Sequence, residues 1–210
     1  MKIWCADVDG HNWPNLCLMK LSAYHKGRGA TVEMWRPEGW YNFVYKSRGF
    51  TDTYSKDNIY IANADHIIRG GTGYGPGSDL PDVEEHQYPD YSLYLQFSST
   101  AYGFLTRGCH RSCGFCIVSG KEGRRSRQVA DLSKFWNGQK EIKLLDPNLL
   151  VCPNHEHLLV QLAESHAYGR RSGGIGAKAG RGRGREVRPA QAVRPGSAGG
   201  AVCFRPAIHR

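Results

Sequence analysis

The composition of the chain changes abruptly after Tyr168, and that break limits how much of it can fold. The 42 residues from Gly169 onward include ten Gly and nine Arg, no Leu, and Phe204 as the only aromatic. Ordering a residue costs about 1.5 kcal/mol, and such a segment has too little apolar area to offset that. A disordered basic tail is therefore expected over residues 169–210, and a folded core only within residues 1–168. Charge divides at the same place. Residues 1–168 carry 18 Lys plus Arg against 18 Asp plus Glu, so the whole net charge of +9 belongs to the tail.

Two motifs in the tail invite a functional reading, and neither is adopted. GRGRGR at 180–185 is similar to arginine-glycine segments that bind RNA, and GIGAKA at 174–179 fits a dinucleotide fingerprint by letter. No strand precedes the second, so the context that gives it meaning is missing. Gly, Arg, Ala and Pro are what GC-rich codons yield when read without selection. The expectation is a coding frame lost after about residue 168, and no nucleic-acid partner.

Within the first 95 residues, short apolar runs alternate with one helical pattern. Strands are expected at Lys2 to Val8, Thr31 to Trp35, Tyr41 to Tyr45 and His66 to Ile68, with a helix from Leu16 to about Lys26. The first strand runs into DGHNWPN and the last into the glycine-rich turn GGTGYGPG. Asp7, Asp9 and His11 are expected to hydrogen-bond the loop at the carboxyl end of the sheet. PDYSLY at 89–94 reads as a linker. Beyond it come a strand at Ala101 to Thr106, a helix at Arg125 to Trp136, a strand at Ile142 to Leu145 and a helix at Pro153 to Ser165. The first of these helices would turn Val129, Leu132 and Phe135 inward, the second Leu158, Leu159 and Leu162.

The strand at Ala101 to Thr106 opens the stretch AYGFLTRGCHRSCGFCIVSGKEG, in which Cys109, Cys113 and Cys116 are spaced C-x-x-x-C-x-x-C before the helix at Arg125. Three thiolates on one short loop can wrap one side of a cubane iron-sulfur cluster, leaving one iron open, because four are needed to coordinate every iron. A structural zinc site completed by His110, Cys152, His155 or His157 is the competing reading. Disulfides are not expected, since the seven cysteines are an odd number and no apolar signal segment follows Met1 and Lys2. No apolar run approaches the roughly 18 residues needed to cross a bilayer, so a soluble, cytoplasmic protein is expected.

The cysteine spacing, the aromatic Phe115 before the last cysteine and the strand just upstream together resemble the radical SAM superfamily. That resemblance implies a [4Fe-4S] cluster held by Cys109, Cys113 and Cys116, S-adenosyl-L-methionine on the open iron, and reductive cleavage to a 5'-deoxyadenosyl radical. It also implies cofactor contacts from Phe115 and from Asp146, which ends the second barrel strand and otherwise is an ordinary turn-capping Asp, and a reducing partner such as flavodoxin or ferredoxin. Arg125 or Arg127, in a basic cluster with Lys121 and Arg124, would meet the substrate or that donor; otherwise the cluster is a solvated face, partly neutralised by Glu122 and Asp131. The order of residues 1–95 is similar to the cobalamin-binding-like domain that precedes many radical SAM barrels. Cobalamin itself is not expected, because the D-x-H-x-x-G pattern lacks its glycine at Pro14.

The expected architecture is thus α/β: a small Rossmann-like unit over 1–95, the first two strand-helix units of a radical SAM partial barrel over 96–168, then the tail. The alternative is a non-catalytic zinc or iron-sulfur module, one that would bind RNA through the basic tail. The substrate is left open.

Overall fold

A computed structural model describes residues 1–10, 13–75 and 79–169. His11, the end of the glycine-rich turn at 76–78 and the tail motifs beyond residue 169 lie outside them.

Two parallel sheets organise the described chain. The first contains β1 (Lys2–Asp7), β2 (Thr31–Met34), β3 (Tyr41–Ser47) and β4 (Ala64–Gly70), in the spatial order β2-β1-β3-β4. All of its pairings are parallel. Ile3, Trp4, Cys5 and Ala6 of β1 are all buried, as a continuous apolar run in the middle of a sheet covered on both faces requires. Ile3 and Cys5 pack with Val32 and with Cys17, Leu18 and Leu21 of α1 (Leu16–Lys26). Trp4 and Ala6 face the other way, onto Val44, Trp35, Tyr41 and Ile61. The α1 helix starts where Asn15 accepts the Leu18 amide at 3.2 Å, an N-cap that satisfies a donor the helix cannot.

Residues 80–97 cross to the second sheet through α2 (Asp82–Glu85) and a 3-10 segment, Tyr91–Phe97. There β5 (Thr100–Gly103), β8 (Glu141–Leu144) and β9 (Tyr168–Gly169) run parallel in that order. A short antiparallel pair, β6 (Thr106–Arg107) with β7 (Arg127–Gln128), stands beside them. The remaining helices are α3 (Val118–Lys121) and α4 (His155–Glu164). Ala101, Leu105, Leu132, Phe135, Ile142 and Leu158 form the second core. Among the described residues no helix is long and apolar enough to cross a membrane.

Three expectations are corrected here. The helix expected at Arg125 to Trp136 does not form. Arg127 and Gln128 pair with β6 instead, Val129 donates its amide to the Leu105 carbonyl at 2.8 Å, and only Leu132–Lys134 turns, as a 3-10 helix. Leu132 and Phe135 still reach one core, because residues three apart eclipse on a 3-10 turn as they nearly do on an α-helix. Leu159 is 41 % exposed and does not face the core. The pattern of strands also runs on past Ser165: Tyr168 and Gly169 pair with Glu141 and Ile142, so the sheet has three parallel strands where two were expected.

Candidate metal centre

The segment with three cysteines joins the two strands of the antiparallel pair, leaving after β6 and returning at β7. Its first residue, Gly108, has φ +89°, and a Cβ there would lie 2.1 Å from the Arg125 carbonyl oxygen, so only glycine fits. The neck is closed by three bonds. Cys109 donates its amide to the Gly123 carbonyl at 3.1 Å. Gly108 donates its amide to Glu122 Oε2 at 3.2 Å, and Arg107 Nη1 pairs with Glu122 Oε1 at 3.0 Å.

Cys109 is buried in this neck, Cys116 is partly buried and Cys113 is exposed, all as free thiols. Cys109 Sγ accepts a hydrogen bond from Asn148 Nδ2 at 3.6 Å. The Cys116 amide donates to the Cys113 carbonyl at 3.0 Å, turning the chain between them, and Phe115 at the tip of that turn is 84 % exposed. Among the described residues no three His, Cys, Asp or Glu side chains converge as metal ligands. The three thiols therefore share a loop without meeting at one point. As a donor set they suit an iron-sulfur cluster in type and number. The residues named for zinc are spread out: His110 is exposed on the loop, Cys152 is buried, and His157 Nδ1 lies 3.4 Å from Gln161 Nε2. His155 Nδ1 lies 2.8 Å from the Cys152 carbonyl.

Asp146 and Asn148 reach the loop's root from the carboxyl end of β8. Asp146 Oδ2 accepts the Leu105 amide at 3.1 Å, and Oδ1 accepts both the Thr106 amide and the Thr106 hydroxyl, the latter at 2.6 Å. Burial raises its pKa above the ordinary carboxylate value, against the lowering effect of those donors. Both its oxygens thus hold the chain between β5 and β6. The basic residues around the loop are exposed at Arg111, Arg124, Arg125 and Arg127. Glu122 does not neutralise them with its carboxylate, which is turned to Arg107; its carbonyl accepts from Arg127 Nη1 at 2.7 Å. Asp131 accepts from Gln128 and Gln161 instead. Sequence reasoning treated Glu122 as a surface residue and gave Asn148 no role beyond its place at the carboxyl end of the second barrel strand. The only advance sign of Glu122 was its standing as the single acid between Gly108 and Ala130.

The first sheet ends in a separate polar cluster between β1 and β3, where the strand order reverses and open α/β sheets place ligands. Asp7 Oδ2 accepts the Tyr94 hydroxyl at 2.6 Å, and Asp9 Oδ2 accepts the Gly49 amide. Asp7 Oδ1 and Asp9 Oδ1 are buried with no partner. Burial, reinforced by the neighbouring Asp9, pushes Asp7 up to about 6 although the Tyr94 hydroxyl favours the charge. Between the two units lies a cleft of about 650 Å³ whose walls include Lys20, Leu80, Glu85, Phe104, Arg107 and Glu122. Comparison with protein-family models, with curated proteins and with solved structures finds no match to this chain.

Proposed function

We propose that the chain is a radical SAM protein, or part of one, in which Cys109, Cys113 and Cys116 hold a [4Fe-4S] cluster. One observation carries this reading: three free thiols at C-x-x-x-C-x-x-C spacing occupy one loop rooted beyond the carboxyl end of a strand in a parallel sheet. That end is where parallel α/β folds place their working residues. The β2-β1-β3-β4 unit then corresponds to the cobalamin-binding-like domain, and β5, β8 and β9 to the first strands of a barrel.

When bound, the cluster supplies an electron that cleaves S-adenosyl-L-methionine to a 5'-deoxyadenosyl radical. The chain's own residues place and shield it. Cys109 is fixed by the Gly123 carbonyl and Asn148, whereas Cys113 and Cys116 sit on a turn with few ties. Asp146 acts through the β5 end that it holds. Phe115, exposed on the turn, would cover the cofactor. The exposed Arg111, Arg124 and Arg125 give an acidic donor of the flavodoxin or ferredoxin kind a surface of opposite charge.

The test is anaerobic reconstitution with iron and sulfide, then EPR of the dithionite-reduced protein with and without S-adenosyl-L-methionine. A [4Fe-4S] signal that shifts when the cofactor is added, and is lost in Cys113→Ala, is the expected result. One zinc per chain and no cluster would overturn the proposal in favour of a structural metal module.

A further inference from the structure

Glu122 is tied to both ends of the cysteine loop. Its carboxylate accepts from Gly108 and Arg107 at the loop's start, its amide donates to the Val118 carbonyl at 2.8 Å, and its carbonyl accepts from Arg127. The next residue, Gly123, accepts the amide of Cys109 itself. The Glu122 side chain is 8 % exposed and that of Arg107 17 %, so this ion pair is screened far less than a surface pair.

Arg107 extends the tie outward. Its guanidinium lies 3.9 Å from the centre of the Phe104 ring and 3.4 Å from Glu85 Oε1, which pairs with Lys20 of α1 at 2.9 Å. A chain of four charged side chains thus runs from the first unit, along the wall of the cleft, to the neck that holds Cys109.

We infer that Glu122 is the positioning residue of the cysteine loop, fixing Cys109 by clamping the neck to Arg107. The inference rests on the proposed function for its purpose, since a cluster needs one ligand held while the others close. Its physical content is separate: without the Glu122 carboxylate, the neck opens locally while the two cores stay intact.

Site-resolved alkylation tests this. The whole protein, free of metal, is treated with iodoacetamide and the modification of each cysteine is followed by peptide mass spectrometry. Cys5 and Cys17, both 0 % exposed in the first core, serve as controls. Glu122→Ala should raise the rate at Cys109 by about tenfold or more, the effect of losing a charge-assisted clamp, with Cys5 and Cys17 unchanged. Glu122→Gln retains an acceptor for Gly108 and should fall between. Arg107→Gln repeats the test from the other side of the pair and decides it if Glu122→Ala does not fold. Cys109 within about twofold of the wild-type rate would overturn the inference, and so would a parallel rise at all three cysteines. Wild-type chain reconstituted with iron and sulfide is run alongside. Its failure to take up a cluster would sink the proposed function and leave the Cys109 comparison standing.

Discussion

Asp7→Asn should stabilise the protein near neutral pH and do almost nothing in acid. Asp7 titrates at about 6 in the folded chain, against 3.8 for an ordinary Asp, because burial outweighs the Tyr94 hydrogen bond. The folded state therefore binds more protons than the unfolded state across that window, and stability falls as pH rises through it. With 1.36 kcal/mol for each pKa unit, the penalty is about 3 kcal/mol at pH 7.5 and about 0.5 kcal/mol at pH 4.0. Asparagine keeps an acceptor for the Tyr94 hydroxyl and removes the charge beside Asp9. Urea unfolding at the two pH values, followed by the fluorescence of buried Trp4 and its neighbour Trp35, measures the difference. The variant should gain about 2 to 3 kcal/mol at pH 7.5 and lie within about 0.5 kcal/mol of wild type at pH 4.0. A variant less stable than wild type at pH 7.5, or a gap that does not change with pH, would refute the reasoning.

Two further substitutions probe the second sheet. Asp146→Ala strands the amides of Leu105 and Thr106 and the hydroxyl of fully buried Thr106, and should lower stability by about 3 to 5 kcal/mol in urea unfolding. Gly103→Ala would set a Cβ 2.2 Å from Cγ of Phe135. It should lower stability by about 2 kcal/mol or more, and Phe135→Ala, which removes that Cγ, should cost less in this chain than in wild type if the clash is the cause.

The first sheet was legible because its signals are local. The apolar run at Lys2–Asp7, the Asn15 cap and the glycines after Lys26 each act within a few residues, and the elements fall beside them. Arg125 to Trp136 was misread because two partners distant in sequence decide its form. Thr106 and Arg107 draw Arg127 and Gln128 into a strand, and Gln161 accepts the Leu132 amide at 2.8 Å. No spacing within the segment records either of them. The cysteine loop itself was plain from its spacing, but its clamp was not. A lone acid among five basic residues reads as a surface counter-charge until the fold brings Arg107 and Gly108 back to it.

The 3-10 segment between the two sheets carries a tyrosine for each. Tyr94 gives its hydroxyl to Asp7 at the end of β1, while the Tyr91 hydroxyl donates to the Phe135 carbonyl at 2.6 Å and accepts the Tyr102 amide on the edge of β5. Each is satisfied only when a different half of the molecule is in place, with two residues of chain between them. A passage that looks in the sequence like a tether is instead riveted to both halves of the described chain, so loosening either half leaves a buried tyrosine hydroxyl on it without its partner.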